Sequence, residues 1–350
     1  MHLKFEKCND VLIVYLFGEL DHHNAEALRV KIDDRIDRDE IKKVILCGIG
    51  AVGAVYADKL QKYDPENFRV LVDTNRLDKY RKTPIYFNDT KLDVNYITPD
   101  DTNFDADLIL IATKMTGLDA AIDEMKNFVK GNTIILPLLN GVTSEERLAQ
   151  AYGWDKVLYA YFIGHSSVRT GNKIKHDGIN TLVFGADKNP DERVEAVKNF
   201  FDKAHINYKV PNDIRHSLWC KYMLNVASNP TTAILRMSFG EMLENKYFMK
   251  LATKIMKEVQ AVAKAEGVRN TETMIDETVA HLHTMVPDGK TSMLQDVEAK
   301  RTTEIDMFTG TMIRLGEKHN IPTPYCNFLQ EMFDIIHENQ RLHKNKTTES

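Results

Sequence analysis

The sequence is sparing with cysteine. Its four, Cys8, Cys47, Cys220 and Cys326, are widely scattered and form no C-x-x-C pair. That spacing argues against a disulfide framework and points to free thiols in a cytoplasmic protein. The twelve histidines show no H-E-x-x-H motif and no Cys/His zinc spacing. No metal is therefore expected, and His22, His23, His281 and His283 read as surface residues. Long hydrophobic runs are missing: stretches such as TIILPLL are far too short to span a bilayer. The N-terminus, MHLKFEKCND, carries charges and has no apolar h-region, so no signal peptide is expected. Net charge is only -5, with acids and bases mixed along the chain. That argues against nucleic acid or an anionic membrane as the main partner. Internal repeats and low-complexity segments are also absent from the sequence.

What remains is a chain of 350 residues with 43% hydrophobic content, enough for about two domains with separate cores. From Lys43 to about Val210, near-continuous apolar runs (KKVIL, FRVLV, DLILIAT, TIILPLL) alternate with helical patterns such as GLDAAIDEMKNFV. This is the signature of a parallel sheet covered on both faces. VLYAYFIG, GNKIKHDG and NTLVFG, within 157–185, read as antiparallel strands closing that domain. After about Pro211 the strand signals stop and helices follow to about 343, among them GEMLENKYFMKLATKIMKEVQAVAKAEG (240–267) and one running from about Met293 to His319. The expected fold is therefore α/β: a Rossmann-type doubly wound domain (42–210), then an all-helical domain (211–343). A strand-helix extension (1–41) precedes them, and a frayed polar tail (344–350) follows.

The run KKVIL leads into GIGAVG, a G-x-G-x-x-G turn formed by Gly48, Ile49, Gly50, Ala51, Val52 and Gly53. The first glycine permits the tight turn, the second lets backbone approach a pyrophosphate, and the third lets helix and strand pack closely. The helix start then offers free N–H groups and a positive dipole end to phosphates. Asp73 ends the next strand, 20 residues past Gly53, where an acid can bind the ribose 2′-OH and favour NAD. Arg76, three residues on, is placed to meet the 2′-phosphate of NADP instead. Lys114 and Asn140 follow two further sheet strands at the ends where open α/β sheets bind ligands. Alternatively, Lys114 is a solvated loop lysine and Asn140 an ordinary Asn-Gly turn residue.

In the helical half, KYMLNVASN sets Lys221, Asn225 and Asn229 at i, i+4 and i+8, within a stripe of about 80° on one helix face. A cation and two amides on an otherwise apolar helix point to the wall of a polar cleft rather than a solvent face. Pro230 is expected to end or kink that helix after Asn229. Glu304 falls on the apolar stripe of the helix from Met293, beside Met293, Val297, Phe308 and Leu315. A carboxylate there is costly unless paired, with Arg301 one turn earlier as the ordinary partner, or functional. Ser292 opens an S-x-x-Q capping box with Gln295, a role that competes with ligand binding.

Together, the glycine turn, Lys114, PLLNGV, KYMLNVASNPTTA, SMLQDVEAKRTTEID and NIPTP closely resemble the ketopantoate reductase (2-dehydropantoate 2-reductase) family, from about Lys42 to about Ile336. The resemblance implies a Rossmann domain, a helical domain and an active site between them. The implied activity is reduction of 2-dehydropantoate to (R)-pantoate with NADPH or NADH, towards pantothenate and coenzyme A. It implies Lys221 as general acid and Glu304 as active-site acid. Asn225, Asn229 and Ser292 match substrate-binding positions, and Asn140 and Lys114 line the cofactor and substrate cleft. The expected partner is a small 2-keto acid, and a homodimer is compatible with the family. Two departures stand out. VDTNR replaces the family's NADP-binding arginine position with Asp73, and PDGK lacks a polar amide that some members carry.

The preceding stretch, VLIVYLFGELDHHNAEALRVKIDDRIDRDEIKKVIL, reads as strand, helix and strand, with Ala25, Leu28, Ile32 and Ile36 as the helical apolar stripe. It resembles the N-terminal part of STAS-domain anti-sigma factor antagonists, most clearly in GELDHHNAEAL. That family's D-S-S-G motif is absent, so no functional residue carries over. A βαβ unit would set strand 11–17 beside 43–47, whose two edges a Rossmann sheet already uses. The extension is therefore expected to pack outside that sheet or to be loosely held. Two other functions remain open: reduction of another branched 2-keto acid, and a dinucleotide-sensing or STAS-like regulatory role.

Overall fold

Strand Val44–Cys47 (β3) holds the centre of the molecule because all four of its side chains are apolar and buried. In the computed structural model, which describes residues 2–8, 11–17, 25, 28–29, 40–164 and 167–348, β3 pairs in parallel on both edges. Its neighbours are Phe68–Leu71 (β4) and Ala106–Ile111 (β8). Tyr96–Ile97 and Val129–Pro137 (β9) complete a five-stranded parallel sheet, one at each edge. Alternate side chains face opposite ways. Val44, Leu46, Val70, Leu108 and Leu110 enter one apolar cluster. Ile45, Cys47, Leu71, Ile109 and Ile111 enter another. Both faces are thus covered, as continuous apolar strands require.

The chain leaves β3 towards β4, then returns to the other side of β3 at β8. That reversal opens a crevice at the strands' carboxyl ends, where Gly48 meets Ala112. Tyr159–Gly164 (β10) pairs antiparallel with Asn180–Gly185, which pairs in parallel with Tyr208–Lys209. The helical half has its own core around Leu218, Tyr222, Met223, Val259 and Phe308.

The helical half departs from expectation in five places. The helix bearing Lys221 runs Ile214–Leu235 and does not end at Pro230. Proline removes one backbone donor, but Ser228 and Thr232 hydroxyls donate to the carbonyls of Leu224 and Ser228 at 2.7 Å each, and the segment is buried, so packing holds the helix together. The run from Met293 is not one helix. Ser292–Glu298 stops, Lys300 takes a left-handed φ of 53°, and helix resumes as a π-helical turn at Asp306–Gly310 before Thr311–His319. Arg301 pairs with Asp296 at 2.7 Å instead of Glu304. The segment from Gly240 to Gly267 splits at Asn245, whose side chain caps the helix Lys246–Ala265. The final helix, Pro324–Thr348, extends into the expected polar tail.

In the extension, Val11–Phe17 pairs antiparallel with His2–Cys8 in a two-stranded sheet of its own. Among the described residues it makes no pairing with β3, whose edges are filled. Ile32, Ile36, His22 and His23 lie outside the described residues. His281 and His283 are exposed. Among the described residues no helix is long and apolar enough to cross a membrane.

Candidate active site

The glycine turn is built as its spacing requires. Gly48 has φ +94°, and a Cβ there would lie 2.8 Å from the Ala112 carbonyl oxygen. At Gly53 a Cβ would stand 2.0 Å from the Gly48 oxygen, so only glycine lets the helix Ala51–Tyr63 sit this close to β3. Gly50 is different: nothing lies within 4 Å of where its Cβ would be. It is the N-cap of that helix, and no side chain caps the first turn. A free helix N-terminus facing open space suits a pyrophosphate. Beside it, the Thr113 hydroxyl is buried with no partner among the described residues. Ile49 offers its carbonyl to Arg169 at 3.2 Å, which brings a cation to the same loop. These residues fit a dinucleotide. Sequence reasoning missed Thr113 and Arg169; only Lys114 was legible at that strand end.

Asp73 and Arg76, the rival ribose contacts, bind each other. Asp73 caps the helix Thr74–Lys82 by accepting from the Arg76 N–H at 2.8 Å, and its other oxygen lies 3.2 Å from Arg76 Nε. Burial, and then the nearby Asp73 charge, raise the Glu124 carboxyl above its usual range, so two acids and one guanidinium gather here.

Across the crevice, Lys221 projects from the helix Ile214–Leu235 and is half-buried. Its ammonium donates to Asn140 Oδ1 at 3.0 Å and to the Phe162 carbonyl at 2.8 Å. The rings of Tyr161 and Phe162 lie 5.0 and 4.8 Å away. Desolvation by burial pulls the Lys221 pKa down to about 7, and the charge of Glu145 partly opposes that shift. Glu145, in the first turn of Ser144–Tyr152, is only 1% exposed. Burial pushes its carboxyl up to about 7 against hydrogen bonds that hold the charged form. It accepts from the Ser144 hydroxyl at 2.9 Å and from the Ala160 N–H at 3.4 Å. Ala160 and Phe162 are two residues apart on β10, so their backbone groups leave the same strand edge. One strand edge therefore anchors both the lysine and its counter-charge. Glu145 escaped sequence reasoning because acids are routine in a helix's first turn. Its position three and four residues before Leu148 and Ala149, on the buried face, was the available signal.

Asn225 and Asn229 continue the stripe from Lys221, about 12 Å over eight residues. Among the described residues neither amide has a hydrogen-bond partner, although Asn229 is only 5% exposed. The far end meets the start of the helix Ser292–Glu298, where the Thr232 hydroxyl lies 2.9 Å from that of Thr291. Thr291, not Ser292, caps Ser292–Glu298, accepting from the Leu294 N–H at 3.2 Å. Ser292 is thereby an exposed first-turn residue whose hydroxyl carries no capping duty. Glu304 faces the first domain rather than Lys221. Burial raises its carboxyl, opposed by the Lys114 charge and a hydrogen bond from the Met115 backbone. Lys114 is also 3.9 Å from Asp296.

The sequence profile "Ketopantoate reductase PanE/ApbA" matches residues 44–189, and "Ketopantoate reductase PanE/ApbA C terminal" matches 213–337. The chain belongs to the ketopantoate reductase family. A third profile, the STAS domain, matches residues 2–48 and overlaps the reductase match at β3. A 2-dehydropantoate 2-reductase of Vibrio cholerae serotype O1 is 28% identical over 298 residues, covering 84% of this chain and 98% of the relative. The structure of a PanE/ApbA family ketopantoate reductase from Ralstonia eutropha JMP134 superposes with TM-score 0.71 at 25% identity, covering 85% of this chain and 99% of that one. D-mandelate dehydrogenase, solved with NADH and anilino(oxo)acetate, shares the fold with TM-score 0.74 at 21% identity and the same coverage. As a ketopantoate reductase family member, the protein is an NAD(P)-dependent oxidoreductase.

Proposed function

We propose that the protein reduces 2-dehydropantoate to (R)-pantoate. The observation that carries this reading is the Lys221 ammonium, held at the crevice mouth by Asn140 and Phe162 at the head of two unpartnered amides. An ammonium has three N–H donors. Two are engaged, so the third is available to a keto oxygen. A bound reduced nicotinamide supplies the hydride. Lys221 meets the negative charge that develops on the keto oxygen and gives it a proton. Asn225, Asn229 and Ser292 bind the substrate's hydroxyl and carboxylate, fixing orientation. Glu304, with Lys114 beside it, receives the primary hydroxyl. Lys114 and Asn140 line the junction of cofactor and substrate. Asp73, its Arg76 partner and Glu124 place net negative charge at the ribose, which disfavours a 2′-phosphate and favours NADH. We take the working form to be a homodimer, as the ketopantoate reductase of Staphylococcus aureus is.

Reduced-nicotinamide absorbance with 2-dehydropantoate tests this, with NADH and NADPH in parallel. The expected result is turnover with an NADH preference of at least about tenfold, within the ~1–4 kcal/mol that one adverse charge contact supplies. Turnover of other 2-keto acids alone would support the second reading, which the mandelate dehydrogenase likeness favours. No turnover with any 2-keto acid would sink both.

Glu145 positions the proton on Lys221 in this scheme. The reduction needs Lys221 protonated, so kcat/KM is expected to fall as pH rises through about 7. The two groups titrate as a pair. In Glu145→Gln the charge that holds the proton is gone, so the falling limb moves to lower pH. Glu304→Gln should raise KM and leave that limb in place. A Glu145→Gln profile that drops in height without moving would make Glu145 merely structural.

A further inference from the structure

A three-ligand cluster lies on the outer side of the Lys221 helix. His216 and Cys220 stand at i and i+4 on Ile214–Leu235, hence on one face. Glu277 reaches them from Met274–Leu282, which packs on that helix through Thr278. His216 Nε2 lies 3.0 Å from Glu277 Oε2 and 3.4 Å from Cys220 Sγ, and the sulfur is 3.9 Å from the same carboxylate oxygen. Zinc binds N, O and S ligands at about 2.0–2.3 Å, so tetrahedral geometry sets neighbouring ligand atoms about 3.3–3.7 Å apart. Each observed separation is within a few tenths of an ångström of that range.

His216 Nδ1 is 3.1 Å from the Arg269 carbonyl, an acceptor, so Nδ1 carries the hydrogen. Nε2 then faces the Glu277 carboxylate oxygen at 3.0 Å. A cation must sit between them, either a second ring proton or a metal ion. The outer contacts are those of a metal ligand set. Arg269, whose carbonyl meets the ring, is itself held by Asp213, which accepts from Arg269 Nε at 2.8 Å while capping the helix through the His216 backbone N–H at 3.0 Å. The Thr273 hydroxyl holds the other Glu277 oxygen at 2.5 Å. The His216 side chain is 12% exposed and that of Glu277 52%, leaving the solvent side open for a fourth ligand, water.

We propose that His216, Cys220 and Glu277 form a binding site for a divalent transition metal of the zinc class. The Cys220 thiol loses its proton to solvent as the metal–sulfur bond forms. Bound metal ties the helix that carries Lys221 to Met274–Leu282, one residue from the proposed general acid. The site escaped sequence reasoning because Glu277 lies 57 residues from Cys220, outside any compact motif.

Cobalt(II) chloride added to the full-length protein tests the site, with zinc(II) as competitor. The expected result is one cobalt per chain, a thiolate-to-cobalt charge-transfer band and tetrahedral visible bands, all removed by zinc. Cys220→Ser should abolish the charge-transfer band. Glu277→Gln should weaken binding by more than the ~10–100-fold typical of losing an outer contact. Both variants should keep the circular dichroism of the parent. Absence of the band in the parent would mean that the cluster holds a proton instead, and would overturn the proposal. So would a band that survives Cys220→Ser.

Discussion

Lys221→Ala is expected to lower kcat by about 10³–10⁴-fold while the protein still folds. A positioned general acid contributes roughly 10²–10⁴-fold, and a charge facing a developing oxyanion adds a comparable factor that overlaps with it. Folding should tolerate the change. The ammonium is destabilised by burial, as its pKa of about 7 states, so its removal relieves a desolvation cost. The carbonyls of Asn140 and Phe162 that it leaves can take water from the crevice. Lys221→Arg keeps the charge but cannot yield a proton, and should recover only a small part of the loss. A small primary ammonium ion added to Lys221→Ala should restore turnover in proportion to its protonated fraction. Steady-state rates and thermal melts check each point. Near-parent turnover by Lys221→Ala would remove the proposed mechanism.

The central sheet was legible because its strands are buried on both faces. KKVIL, DLILIAT and TIILPLL are apolar without alternation, and each becomes a parallel strand. The helical half was less legible because periodicity does not register where a helix breaks. Met293 to His319 keeps a helical pattern, yet Lys300 takes a left-handed conformation and the chain opens before the π-helical turn. That break separates Glu304 from the helix on which its stripe was drawn. Pro230 misled in the opposite sense: of the two outcomes a local rule allows, a stop or a kink, the stop is overruled by burial around it.

The candidate site divides along the same line. Lys221, Asn225 and Asn229 share one helix face, and that relation follows from spacing alone. Glu145 meets Lys221 only through β10, which carries a hydrogen bond to each. Contacts routed through a third element leave no spacing to read. Thr291 takes the cap assigned to Ser292 because Thr291 itself adopts the extended conformation a cap requires, with φ -63° and ψ 153°. The N-terminal hairpin is a case where a negative argument sufficed. β3 has no free edge, so Val11–Phe17 pairs with His2–Cys8 instead.

Gly50→Val and Gly53→Ala, three positions apart in one turn, are expected to fail in opposite ways. At Gly53 the added methyl would stand 2.0 Å from the Gly48 carbonyl oxygen, which is backbone of the tight turn directly after β3 rather than a side chain that can swing away. Neither side can yield, so the helix must move off the strand. Overpacking against side chains costs about 1–3 kcal/mol, and a backbone clash of this depth should exceed that. Since a domain's net stability is about 5–15 kcal/mol, Gly53→Ala should lower Tm by several degrees and reduce soluble yield. At Gly50 the backbone has φ -84° and ψ -160°, which valine adopts, and nothing lies within 4 Å of the new Cβ. Gly50→Val should keep the parent Tm. Its side chain would occupy the space in front of the uncapped helix N-terminus, where the pyrophosphate binds in the proposed complex. Losing two charge-assisted hydrogen bonds there, at about 1.5–3 kcal/mol each, should weaken NADH binding by about 100-fold or more. Fluorescence titration with NADH beside a thermal melt separates the two variants. Equal losses of stability would remove the assignment of Gly50 to the cofactor and leave the turn a purely structural one.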